Sequence, residues 1–210
     1  MAGTITALKR QKNNKERVNV YLDGRYAFAV TALAAAHLRQ EQFLSDAEIT
    51  GLKKKDELER AYQSAVRFLG NRPRSQQEVF DRLQRKGLLP AVIETTIARL
   101  LREKYLDDVE FARYWIENRE RFKPRSRRAL RYELRQKGIA ETIIEEALAD
   151  LDEEESAWQA IAQRLHRWQG LDENDFRQKA GGYLARRGFS YSIIKPVLGR
   201  AWASLQAEQP

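Results

Sequence analysis

The chain contains no cysteine, which rules out a disulfide framework, a thiolate nucleophile and any thiolate metal site. Histidine is nearly absent too. His37 and His166 are the two present, in different regions and without a cluster of carboxylates, so neither a metal site nor a histidine-based catalytic centre is expected. No run approaches the roughly 18 to 20 apolar residues of a membrane span, and no apolar signal core precedes the first charges. The reading is therefore a cytoplasmic protein with no membrane association. No glycine-rich loop ending in Lys-Ser or Lys-Thr is present to cradle a nucleotide's phosphates. These absences argue against a nuclease or an NTPase, and no cofactor is expected.

What the 210 residues do contain is a sequence repeated three times. Leu83, Lys86 and Gly87 recur as Leu134, Lys137 and Gly138, and again as Leu184, Arg187 and Gly188. Ile93, Ile144 and Ile194 follow the same offsets of 51 and 50 residues. The first two copies also share Pro73, Arg74 and Ser75 with Pro124, Arg125 and Ser126. A fixed period of this length marks an array of supersecondary units, each burying its apolar face partly against its neighbours.

Within each copy the spacing predicts three helices. In the second, Asp107 caps a helix carrying Phe111, Ala112, Trp115 and Ile116, which Pro124 ends. Ser126 caps a second helix carrying Leu130 and Leu134, closed by Gly138 with positive φ. Ile143, Ile144, Ala147 and Leu148 then form the buried face of a third. The last copy is looser: residues 170–175 replace the Pro-Arg-Ser turn, and Gly181 and Gly182 lie inside its middle helix. Before the array, Ile5 to Leu8, Val18 to Leu22 and Tyr26 to Val30 alternate as strands, with Asp23 and Gly24 as a type I′ turn. A short alanine-rich helix over 31–38 follows, and Ser45 to Glu48 form a capping box opening a helix that runs to Leu69. The fold expected is mainly α: three tandem three-helix, helix-turn-helix-like repeats in an elongated array behind a small three-stranded β segment. Boundaries are placed at 1–56, 57–104, 105–151 and 152–210.

Lysine and arginine total 38 against 30 acids, a formal charge of +8, which suits an anionic partner. The charges are also segregated. Between Arg113 and Lys137 there are ten bases and three acids; from Glu141 to Glu155 there are eight acids and no base. At 100° per residue, Arg127, Arg131 and Arg135 form a ribbon beside the Leu130 and Leu134 stripe, with Arg128 next to them. The matching first-copy positions are Gln76, Phe80 and Gln84, so the repeat itself does not require the ribbon. With Arg125 and Lys137 these residues are the candidates for contact with DNA, single- or double-stranded, through its phosphates. The alternative for the ribbon is a solvated face paired with local glutamates.

The stretch from Tyr105 to Arg119, then Lys123 to Ser126, Leu130, Glu133, Leu134 and Lys137 to Ile139, resembles the central motif of the RecX family. The resemblance covers about residues 57–200; residues 1–56 match longer members with an N-terminal extension. It implies tandem three-helix repeats and a role as a non-enzymatic modulator that binds the RecA filament on DNA; the chain itself is expected to be a monomer. Such a protein would damp ATPase and strand exchange by occupying the filament groove, with a place in recombination and DNA repair. A helix-turn-helix transcription regulator is the competing expectation, with Arg127 and Arg128 at the start of a reading helix.

Overall fold

The computed structural model describes residues 1–207; positions 208–210, the end of the expected C-terminal tail, lie outside them. By its contacts the chain forms two units, one built from Met1–Arg72 with Val79–Tyr105, the other from Pro73–Glu78 with the chain beyond Leu106.

In the first unit, β1 (Gly3–Arg10), β2 (Arg17–Leu22) and β3 (Arg25–Thr31) form an antiparallel sheet. Asp23 and Gly24 both have positive φ, 45° and 80°, as a type I′ turn demands. Alternation along the strands buries Ile5, Val18, Val20, Leu22, Phe28 and Val30. The single-turn helix α1 (Ala32–Ala35), shorter than the 31–38 expected, is capped by the Thr31 hydroxyl. A fourth strand, β4 (Phe43–Leu44), pairs with β1 to give the order β3-β2-β1-β4. Two residues are too few to show an alternation, so nothing in the sequence announced it.

Helix α2 (Asp46–Leu69) opens on the Ser45 capping box and runs through Gly51. Its Asp56 is buried and accepts hydrogen bonds from the Thr31 N–H at 2.8 Å and from both terminal nitrogens of Arg17. A buried carboxylate is costly unless paired and hydrogen-bonded, so this triad fixes how α2 meets the sheet. α3 (Gln76–Gln84) and α4 (Pro90–Arg102) complete the first repeat. The small residues Ala61 and Ala65 on α2 are fully buried, and this helix packs against α4.

The second unit holds two further repeats. One is α5 (Asp108–Phe122), α6 (Arg127–Gln136) and α7 (Glu141–Leu148), around Phe111, Ile116, Leu130, Leu134, Ile144 and Leu148. The other is α8 (Glu153–Ala162), a 3-10 turn at Leu165–Trp168, α9 (Glu173–Arg186) and α10 (Tyr191–Ala207). α8 is five residues shorter than α5. Its core is completed by Trp168, edge-on to Phe176 and Tyr183 at 6.1 and 5.8 Å between centroids. Asp107 and Ser126 each cap the helix expected of them, and Asp152 caps α8.

Successive repeats are joined in the second unit by one contact made twice. Gly138, at φ +74°, lies so close to the first turn of α3 that a Cβ there would sit 2.6 Å from the Gln77 Cβ. Beside it Lys137 Nζ pairs with Glu78 at 2.7 Å. Asp108 accepts from the Gln76 backbone N–H at 2.9 Å and its side-chain amide at 3.0 Å. Burial holds the Asp108 carboxyl above its usual range, more than these bonds lower it. Fifty residues on, Gly188 presses on the first turn of α6, where a Cβ would meet Ser126 Oγ at 2.5 Å. Arg187 donates to the Pro124 carbonyl at 2.9 Å, and Glu153 accepts from the Arg127 N–H at 3.3 Å. Gly87 has the same positive φ with nothing within 4 Å of an added Cβ.

These contacts rank three alanine substitutions. Gly87→Ala should cost about 1 kcal/mol, from its backbone conformation alone. Gly138→Ala and Gly188→Ala should cost a further ~1–3 kcal/mol each, because a neighbouring turn must move. Urea denaturation of the three variants checks the order; equal losses would remove the joint from the account.

Candidate nucleic-acid interface

The six candidate cations lie on α6 and the turns that bound it, and the fold gives them different tasks. Arg127 donates from Nη2 to the Leu151 carbonyl at 2.8 Å. Arg131 lies 2.6 Å from Glu145 and 3.5 Å from Glu141. Arg135 grips Glu141 with two bonds of 2.7 Å, the fork geometry that suits guanidinium to carboxylate. That pairing holds the Glu141 carboxyl below its usual range and raises the Arg135 guanidinium. The basic ribbon and the first acids of the following block thus face each other across the α6–α7 turn. Lys137 is occupied by Glu78 and lies 5.0 Å over the Trp115 ring.

Arg125 belongs to an internal network centred on Glu133, whose side chain is 16% exposed. Trp115 Nε1 and Arg119 Nε donate to one oxygen of Glu133 at 2.8 and 2.7 Å. Arg125 Nε lies 3.0 Å from the other oxygen, an ion pair whose N–H is misdirected for a hydrogen bond. The Arg119 guanidinium also stacks 4.5 Å over Trp115. This tryptophan is therefore committed inside the repeat.

Arg128 is the one candidate of the six that is exposed and makes no ion pair among the described residues. One helical turn along the same face stands Tyr132, 64% exposed. Arg121, stacked over the exposed Phe122, and Lys123 close α5 just before the Pro124 turn. A cation beside an exposed aromatic suits a phosphate and an unstacked base. Tyr132, Arg121 and Lys123 were missed in the sequence, although a tyrosine four residues after an arginine on one helix face was a visible signal.

Elsewhere, His37 and His166 are both exposed. Among the described residues no three His, Cys, Asp or Glu side chains stand together where a metal could be held, and no helix is long and apolar enough to cross a membrane.

Comparison with known proteins identifies the repeats. Family models described as the first, second and third three-helix domains of RecX match residues 61–100, 107–148 and 152–198. The regulatory protein RecX of Bacillus subtilis (strain 168) is 35% identical over 92% of this chain and 75% of its own length. The chain belongs to the RecX family. The RecX of Clostridium tetani (strain Massachusetts / E88) is 34% identical, with 93% of both chains covered. A crystal structure of regulatory protein RecX superposes with a TM-score of 0.70 at 25% identity, covering 93% of this chain and 98% of the other. The N-terminal domain model of RecX matches residues 3–42, so β1 to β3 and α1 are a RecX element in their own right.

The Glu133 network is testable by deletion. Glu133→Ala strands the Trp115 N–H and two guanidinium groups; partial exposure of the arginines moderates the penalty. A loss of about 1–3 kcal/mol is expected in chemical denaturation. A variant as stable as the parent would show that solvent replaces the carboxylate.

Proposed function

We propose that this RecX-family chain is a non-catalytic, cytoplasmic regulator of the RecA recombinase. It binds the RecA filament on DNA and inhibits ATPase and strand exchange by occupation. Bound repeats obstruct entry of a second DNA and hinder the protomer changes coupled to ATP turnover. The observation that carries this reading is the family match, which runs from the sheet to the last repeat and joins this chain to relatives named as regulatory proteins.

The DNA contact proposed is to phosphates, through the outer face of α6. Arg128, with Tyr132 beside it, and Arg121 and Lys123 supply charge that no acid offsets among the described residues. Arg127, Arg131 and Arg135 remain part of the proposed surface, but Arg131 and Arg135 reach a phosphate only by exchanging Glu141 and Glu145 for it. The charge on α7 disfavours the transcription-regulator alternative. Its reading helix would be α6, opened by Arg127 and Arg128, and α7 sets Glu145 and Glu141 against Arg131 and Arg135 of that helix, where the acids would repel the backbone it had to approach.

Steady-state RecA ATPase on single-stranded DNA, with and without the protein, tests the reading; turnover should fall as the protein is added, and unchanged turnover would refute it. The charge assignment has its own measurement. Each phosphate contact contributes about −0.9 to the log–log salt slope on duplex DNA and about −0.7 on single strands. Arg128→Gln should therefore flatten the slope by nearly one unit. Glu141→Gln with Glu145→Gln should strengthen DNA binding and steepen the slope by up to about two units, by releasing Arg131 and Arg135. Should neither variant move the slope, α6 is not the DNA surface.

A further inference from the structure

The joint that seats each repeat on the one before leaves one socket open at the start of the array and one plug free at its end. Offset by 51 residues, the socket made by Asp108, Trp115, Lys137 and Gly138 corresponds to Glu57, Ser64, Lys86 and Gly87 in the first repeat. In the second unit that socket is filled by Gln76, Gln77 and Glu78, with Lys137 on the Glu78 carboxylate. In the first repeat Gly87 faces open space, and Lys86 Nζ is hydrogen-bonded to the Ser64 hydroxyl, a neutral partner. Lys86 and Ser64 line a cavity of about 250 Å³ together with Glu57, Arg60, Arg67 and Leu88. Arg60, Arg67 and Lys86 have no carboxylate partner among the described residues, and Glu57 stands where Asp108 accepts a helix N–H.

The plug is the first turn of a middle helix. In α9 it consists of Asp172 at the N-cap, then Glu173, Asn174 and Asp175, all exposed. Its second and third positions carry an amide and a carboxylate, as Gln77 and Glu78 do in the turn that seats on Lys137–Gly138. The α6 turn that seats on Arg187–Gly188 has Arg128 and Ala129 there instead. The free plug therefore matches the type of turn that a Lys-Gly socket takes, and the open socket is Lys-Gly. Asp175 makes only a 3.4 Å contact with Lys179 of its own helix, an exposed pair of the kind that contributes little.

From this match we infer that two copies of the chain associate head to tail, the first turn of α9 in one copy seating on Lys86 and Gly87 of the other. Asp175 meets Lys86, Asn174 lies over Gly87, and the Glu173 N–H points to Glu57. The contact is heterologous, so each copy can offer its free plug to the next, as successive repeats do within the chain. It replaces the monomer expected from sequence with a self-associating species, and it requires neither RecA nor DNA.

The test uses the free, full-length protein. Sedimentation velocity at low ionic strength should show the mass average rising with concentration, up to about 1 mM. Lys86→Glu and Asp175→Lys should each weaken association at least about tenfold, since each sets like charges against one another in the contact. An equimolar mixture of the two should recover it, because each reversed site then meets an opposite charge. The absence of native cysteine gives an independent readout: Arg85→Cys mixed with Asn174→Cys should form disulfide dimers on oxidation, whereas Leu33→Cys with Asn174→Cys should not. A chain that stays monomeric, charge reversals without effect, or equal cross-linking of the Leu33 control would overturn the inference. A socket that serves a helix of some other protein instead would appear as the first of these outcomes.

Discussion

Each middle helix ends on a cation and a glycine, and in the second and third repeats those two residues both close one helix and receive another. Positive φ lets the chain reverse after the last turn, while the missing side chain leaves room for the first turn of the preceding repeat's middle helix. At Gly138 and Gly188 that room is fully used, since even a methyl group would overlap a neighbouring residue. The cation beside the glycine then finds an acceptor on the turn it faces, a carboxylate at Glu78 or a carbonyl at Pro124. A first-turn acid of the next repeat's first helix takes an N–H left over at the seated helix start. Helix ends leave such groups unsatisfied, and here the next repeat satisfies them. Within the second unit, the seating of the last repeat against the start of α6 follows from that contact.

The first repeat has no predecessor, and the N-terminal sheet packs instead on its first helix, α2. Its attachment uses different chemistry: Arg17 and the Thr31 N–H converge on the buried Asp56 carboxylate. Terminal units of an array need a distinct cap, and a sheet held by one satisfied buried charge provides it. Because the sheet does not reach Gly87, the Lys-Gly socket of the first repeat is left partly open.

The net charge of +8 overstates what α6 offers to an anionic partner. Glu141, Glu145 and Glu133 hold four of the arginines around this helix, leaving Arg128 and the end of α5 unopposed. Such internal pairing favours a contact that is selective in position over diffuse attraction to any polyanion, because a phosphate must compete with a carboxylate already in place. Tyr132 adds an exposed aromatic ring beside the unpaired Arg128.

Much of this was written in the residues themselves. The period, the caps at Asp107 and Ser126, the Asp23–Gly24 turn and the positive φ of Gly138 were all legible, because each depends on interactions within a few residues of chain or on a plain recurrence. Resemblance to RecX was legible for the same reason: its motif is a local order of acidic, aromatic and proline positions. The sequence by itself did not reveal β4, since a two-residue strand has no pattern until β1 lies beside it. Nor did it say which arginines were free. Arg131 and Arg135 form one ribbon with Arg127 by helical arithmetic, and only the closure of α7 onto α6 brings Glu141 and Glu145 to the last two. Arg125 looks like its neighbours in sequence until the packing of α5 on α6 draws it to Glu133. Periodicity assigns a side chain to a face of its own helix; what stands opposite that face is decided by long-range packing, and with it the charge that remains for a partner.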